Sequence, residues 1–204
     1  MTAARGLFVV LEGADGSGKS TQAALLAERL KAEGRDAVLT FEPGATPLGR
    51  RIRSLLLDDA DAVEPIAEAL LMSADRAQHV AEVIVPALAR GAVVVSDRYI
   101  PSSLAYQGAA RGLGVEVIQS LNEWASGGLV PDVVIVLDVT ETVAASRRTG
   151  TPDRLEREQS TFHEQVRRTY RELAQTNNWL LVDAAADRHM IADRIWEEVR
   201  RIVR

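Results

Sequence analysis

The stretch Gly13-Ala14-Asp15-Gly16-Ser17-Gly18-Lys19-Ser20 constrains this chain more than any other, because of what flanks it. Before it, Leu7–Glu12 is an apolar run that reads as a buried strand; after it, helical periodicity begins at residue 19. Glycines in such a loop let the backbone curl until successive N–H groups point into one concavity, a nest for an anion. The helix that follows adds its own free N–H groups and the positive end of its dipole. Lys19 is a compact charge able to reach β- and γ-phosphates, the Ser20 hydroxyl can ligate Mg²⁺, and Thr21 offers the next hydroxyl. Strand, P-loop and helix together point to a nucleoside triphosphate with magnesium, with residues 13–21 as its binding segment. They do not say what is done with it. Asp15 is the anomaly, a negative charge inside an anion nest.

The rest of the chain repeats this strand-then-helix rhythm. Further strands are expected at Ala37–Phe41, Ala92–Ser96, Val133–Asp138 and Trp179–Val182, each nearly continuous in apolar residues, as in a parallel sheet buried on both faces. Helical periodicity covers 19–33, 47–57, 64–89, 114–126, 140–148, 157–176 and 187–203. The expectation is a doubly wound α/β fold with right-handed crossovers, and one domain over residues 1–204. A hydrophobic content of 47% and a length of 204 residues suffice for one large core. The formal charge of −5 argues against a nucleic-acid binder, and the lack of cysteine excludes disulfide scaffolds and thiolate metal sites. The first apolar run is too short for a signal peptide or a membrane span, so a cytoplasmic protein with no membrane partner is expected. Of 24 basic residues only Lys19 and Lys31 are lysines, and one of them stands in the glycine-rich loop.

Four arginine-bearing segments follow the other strands, where open α/β sheets bind ligands. In "FEPGATPLGRRIRSLLL", Glu42-Pro43-Gly44 makes a turn and Arg50, Arg51 and Arg53 lie on the next helix, as ligands or as a solvated face. In the 64–89 helix, Ala69, Met72 and Arg76 project from one face. They either hold a planar base or serve as core filling and surface charge. "GAVVVSDRYIPSSLAYQGAARG" ends a strand in Asp97-Arg98, an acid that can hold magnesium through water beside an arginine that can clamp a phosphate. Asp138 also ends a strand, but hydroxyls, an amide and an arginine crowd behind Asp97: Ser102, Ser103, Tyr106, Gln107 and Arg111. Finally, "SRRTGTPDRLERE" carries Arg147, Arg148, Arg154 and Arg157 around a short polar loop, either a lid over transferring phosphates or a solvated helix end. His79, His163 and His189 match no metal spacing.

Taken together, "LEGADGSGKST", "EPGATPLGRRIRSLLL", "ADRAQHV", "SDRYIPSSLAYQG" and "DRLERE" resemble the thymidylate kinase family across nearly the whole chain. The resemblance implies a P-loop nucleoside monophosphate kinase fold, a five-stranded parallel sheet flanked by helices, with a lid about residues 147–157. It implies γ-phosphoryl transfer from ATP to dTMP, with Mg²⁺, in a homodimer whose contact surface is the 64–89 helix. Gly13, Ala14, Asp15, Gly16, Ser17, Gly18, Lys19, Ser20 and Thr21 would bind ATP, with Ser20 and Asp97 near the metal. Arg53 and Arg98 would hold the acceptor phosphate, and Asp15 would face the deoxyribose. Arg76, Ser103 and Gln107 would meet the base, with Met72 against its face and Tyr106 crowding the 2′ position. The loop of residues 13–20 contains no arginine, so the lid would supply the transition-state arginine, Arg148 or Arg154. Two positions depart from the family pattern: Phe41 stands where an arginine is frequent, and Met72 where an aromatic stacks on thymine. Another deoxynucleoside monophosphate, such as dUMP or dGMP, and a non-kinase nucleotide switch are the alternatives.

Overall fold

The computed structural model describes residues 5–57, 62–147 and 152–203. Five strands form one sheet in the order β2-β3-β1-β4-β5, every neighbouring pair parallel. They are β1 Phe8–Gly13, β2 Ala37–Phe41, β3 Val93–Asp97, β4 Val133–Asp138 and β5 Leu180–Asp183. β1, β3 and β5 lie one residue later than their apolar runs suggest. Pairing continues into the polar ends, with Leu11 opposite Asp97 and Gly13 opposite Leu137.

Alternate strand residues explain why the runs are apolar throughout. On one face Val9, Leu11, Val93, Val95, Ile135 and Leu137 join a buried cluster with Leu26, Leu30, Ile191 and Ile195. These last four come from α1 (Lys19–Ala32) and α9 (Arg188–Val199). On the other face Phe8, Val10 and Val94 pack with Ile84, Leu88 and Ile118, while Val134 and Val136 pack with Tyr106, Phe162, Val166 and Tyr170. Burying both faces stabilises the sheet by about 25 cal/mol for each Å² of apolar surface removed from water. Strands alternating sides in this way need no polar face.

The remaining helices are α2 Pro47–Leu57, α3 Pro65–His79, α4 Val85–Ala89, α5 Ile100–Ser103, α6 Val115–Ala125, α7 Glu141–Arg147 and α8 Ser160–Thr176. The long helix expected over 64–89 is continuous from α3 to α4, but it widens to a π turn at Val80–Ile84, where the Val85 N–H bonds the Val80 carbonyl. The widening sits just ahead of Pro86, whose ring has no N–H to give the preceding turn. α8 begins at Ser160 rather than 157, because Asp153 Oδ1 accepts the Leu155 and Glu156 N–H groups at 2.9 Å and holds a turn there. α9 ends at Val199, short of 203.

One element has no counterpart in the periodicity. α5 continues into a second π turn, Leu104–Ala110, so residues 100–110 are helical. Residues 100–108 are buried on all sides, so no polar stripe marks the helix in the sequence. No helix among the described residues is long and apolar enough to cross a membrane.

Candidate active site

The loop between β1 and α1 is fixed by close backbone approach. An added Cβ on Gly13 would stand 2.4 Å from the Leu137 carbonyl oxygen, and one on Gly16 2.3 Å from that of Ala144 on α7. No side chain caps α1, whose N-cap is Gly18 at φ 92°, leaving first-turn N–H groups for an anion. Lys19 is buried and its Nζ donates to the Ala14 carbonyl at 2.8 Å. Burial and the nearby Arg98 guanidinium bring the Lys19 ammonium down to about 8, against the pull of Asp15, Asp97 and Glu12.

The Ser20 hydroxyl donates to Asp97 Oδ2 at 2.5 Å, across from the end of β3. Asp97 Oδ1 is buried and has no hydrogen-bond partner among the described residues. A hydroxyl and a carboxylate with a spare buried oxygen fit Mg²⁺, which takes one or two protein oxygens and completes its shell with water and phosphate. No group of three His, Cys, Asp or Glu side chains among the described residues could cage a metal alone. Asp138, the other strand-ending acid, is engaged elsewhere: Arg167 meets it with two bonds, at 2.7 and 2.9 Å, and Arg171 at 3.1 Å.

Arg98 occupies the pivot. Its backbone is forced to φ 77°, a conformation rare outside glycine, with its N–H bonded to the Leu11 carbonyl at 3.0 Å. The side chain turns back to pair with Asp15 and donates to Ser102 Oγ at 3.0 Å. The Tyr106 hydroxyl donates to Asp15 Oδ2 at 2.8 Å. Burial opposes ionisation of Asp15, but the Arg98 and Lys19 charges outweigh it and hold the carboxyl well below the usual range. Beneath this pair lies Glu12, fully buried, accepting the Tyr99 N–H at 2.8 Å, the Ser102 hydroxyl at 2.7 Å and the Tyr170 hydroxyl at 2.9 Å. Burial pushes its carboxyl up, and the Arg98 charge opposes that.

Arg76 is not a surface charge. It is 2% exposed, and every N–H of its guanidinium is engaged. Nε donates to Glu42 at 2.9 Å, Nη2 to Glu42 and the Tyr99 carbonyl, and Nη1 to Ser103 Oγ at 3.0 Å and to Asn122. Glu42 also meets His79 Nδ1 at 2.8 Å, and His79 Nε2 lies 2.6 Å from Thr40 Oγ1. His79 thus belongs to the framework that orients Arg76. Gln107 is buried, and Met72, half-buried, packs against the cluster of Tyr106 and Phe162.

Two adjoining cavities open at the strand ends. One is lined by P-loop residues Asp15, Gly16, Gly18, Lys19, Ser20 and Thr21, with Phe41, Asp97 and Arg147 opposite. Gly13, Ala14 and Ser17 shape the loop without lining this cavity. The other is lined by Met72, Arg76, Ser103, Tyr106 and Gln107, together with Asp153 and Leu155. Asp15, Glu42, Arg53 and Arg98 line both. Arg53 Nη1 is fixed by the Pro43 carbonyl at 2.9 Å.

The arginines expected in a lid part company. Arg154 does not reach the P-loop cavity: it donates to Glu68 at 2.6 Å and to the Leu56 carbonyl at 2.9 Å. Arg147, held by the Ala184 carbonyl at 2.7 Å, lines that cavity instead. Arg148 lies outside the described residues. Sequence reasoning also missed Glu12, Glu42 and Glu68. The only signal was position, an acid inside or ending an apolar run, and it is weak.

The sequence model for thymidylate kinase matches residues 11–195. A thymidylate kinase of Halothermothrix orenii is 48% identical over 96% of this chain and 97% of its own length. One from Deinococcus radiodurans is 45% identical with the same coverage, and one from Leifsonia xyli is 50% identical over 93% of this chain and 92% of its own.

Proposed function

The chain belongs to the thymidylate kinase family, and we infer from that membership that its two joined cavities are the donor and acceptor sites of one reaction. The protein is an enzyme that transfers the γ-phosphoryl group of ATP to dTMP, forming dTDP. The observation that carries the placement is that Asp15, Arg53 and Arg98 line both cavities. Phosphates from either side would meet at these residues.

In this reading the P-loop N–H groups and Lys19 cradle the ATP phosphates, and Ser20 and Asp97 hold Mg²⁺. Held there, Mg²⁺ would supply positive charge to offset the negative charge of the donor phosphates. Lys19 is released from the Ala14 carbonyl to a better acceptor, an anionic phosphate. Arg98 and Arg53 draw the acceptor phosphate in line, where two fixed guanidinium groups reduce the repulsion between the anions. Asp15, already neutralising Arg98, faces the sugar, and the Tyr106 hydroxyl bonded to it walls off the 2′ position. Arg147 lies where a transition-state arginine could act, and Arg148 stays a candidate on the sequence alone; Arg154 belongs to the acceptor side. Asp153 and Leu155 cover that side and exclude water, which would otherwise accept the phosphoryl group.

Met72 supports a second reading of the acceptor, dUMP or dGMP, because a flexible thioether tolerates more than one ring shape. Coupled ADP release across a panel of deoxynucleoside monophosphates tests both. No stimulation by dTMP would remove the acceptor assignment, and a clearly better rival would change only the substrate. The reading further comprises one catalytic domain, a cytoplasmic location and a homodimer. Exposed Ile66 and Leu70 on α3 and Val117 and Trp124 on α6 support the dimer, whose mass sedimentation would measure.

A further inference from the structure

Glu68 is a fully buried carboxylate that the reaction itself does not use, yet four contacts converge on it. Gln107 Nε2 donates to its Oε1 at 2.7 Å. Arg111 reaches both oxygens, at 3.4 and 3.2 Å, and Arg154 Nη2 donates to Oε2 at 2.6 Å. A carboxylate held by two guanidinium groups can only accept hydrogen bonds. Gln107 must therefore turn its NH₂ toward Glu68, which leaves its carbonyl oxygen as the group it can present to the acceptor cavity that it lines. The same logic applies to Ser103: a guanidinium only donates, so Ser103 Oγ accepts from Arg76 and keeps its own hydrogen to give.

We propose that Glu68 is a specificity-determining positioning residue that fixes the Gln107 amide so that the acceptor cavity meets the base with a hydrogen-bond acceptor. Through Arg154 this polarity depends on the seating of lid residues 153–158. An acceptor at Gln107 with a donor at Ser103 complements a pyrimidine whose N3 carries hydrogen beside a carbonyl, as in thymine. Cytosine presents the reverse, an N3 acceptor beside an amino group, and would leave a buried acceptor facing an acceptor. The proposal rests on the assignment of this cavity as the acceptor site.

Glu68→Gln tests it. The two guanidinium groups at Oε2 would claim the new carbonyl, so the new NH₂ would face Gln107 and turn its carbonyl away from the cavity. The kcat/KM ratio of dTMP over dCMP should fall about tenfold or more, mainly through KM for dTMP, with KM for ATP within about twofold. The reciprocal pair Glu68→Gln/Gln107→Glu restores an acceptor at position 107 and keeps a negative charge near the arginines, and should regain discrimination. An unchanged ratio in folded Glu68→Gln protein would overturn the proposal, as would equal losses for ATP and dTMP. If the single variant does not fold, the reciprocal pair decides: a retained ratio supports the role, and a lost one overturns it. Wild-type turnover of dTMP is measured first. Its absence removes the acceptor assignment and this proposal with it, whereas turnover with an unmoved ratio removes only the role of Glu68.

Discussion

Asp15 from the P-loop and Arg98 from the end of β3 form an ion pair in the wall shared by the two cavities. A negative charge in an anion nest is therefore neutralised by the arginine proposed to hold the acceptor phosphate. Asp15→Asn would keep the shape and remove the charge, which has two opposed effects. Arg98 gains attraction for the acceptor phosphate, and its guanidinium loses the partner that sets its angle. KM for dTMP should change less than about fivefold while kcat falls about a hundredfold, since orientation matters more than affinity in an in-line transfer. Steady-state kinetics with each substrate varied separates these outcomes. A rise in KM alone would show that Asp15 only binds.

Lys19 is buried against a loop carbonyl and titrates near pH 8. Lys19→Ala should lower kcat by about a thousandfold or more, with circular dichroism and melting temperature close to wild type. In the wild-type enzyme the ammonium is charged below about pH 8, so ATP affinity should be full there and weaken as pH rises above it. Calorimetric titration of ATP at pH 7 and pH 9 measures this, and an affinity that held or rose at pH 9 would contradict the role of Lys19.

As the proposed ligands of Mg²⁺, Ser20 and Asp97 should differ in what they contribute. Asp97 supplies charge and a spare buried oxygen, while Ser20 supplies a neutral hydroxyl. Asp97→Asn should raise the half-saturating Mg²⁺ concentration about tenfold, and Ser20→Ala about threefold. Activity measured against magnesium at fixed ATP gives both values.

The P-loop, its strand and the parallel character of the sheet were legible because each is a local pattern: an apolar run, glycines at fixed spacing, a lysine. The proposed acceptor pocket was legible as residues but not as geometry. Arg76 could be placed on the correct helix face, yet its burial depends on Glu42, 34 positions away, which no spacing rule connects to it. Arg154 reads as a phosphate-clamping arginine by its neighbours in the chain and is turned aside by Glu68, 86 positions away. The helix at 100–110 was hidden for a related reason. Its polar residues face a buried site instead of solvent, so the stripe that reveals most helices is missing.

Asp75 gives a prediction in which the sign of the pH effect is decisive. Its Oδ1 accepts the Gly44 N–H at 3.0 Å, steadying the turn beside Arg53, and its Oδ2 is buried with no partner among the described residues. Burial and the Glu42 charge raise its carboxyl from 3.8 to about 6, against the Gly44 bond and the nearby His79 and Arg76. The folded protein therefore binds more protons than the unfolded chain between about pH 4 and pH 6. Stability contributed by the protonated group is full below that window and is lost as pH rises through it. Asp75→Asn keeps the acceptor for Gly44 and removes the ionisation, so it should be more stable than wild type by about 1–3 kcal/mol at pH 8. The advantage should shrink toward zero at pH 4, where both side chains are neutral. Urea unfolding of both proteins at pH 4, 6 and 8 measures the difference, and a gap that stayed constant or widened toward acid would show that Asp75 carries no buried charge at neutral pH.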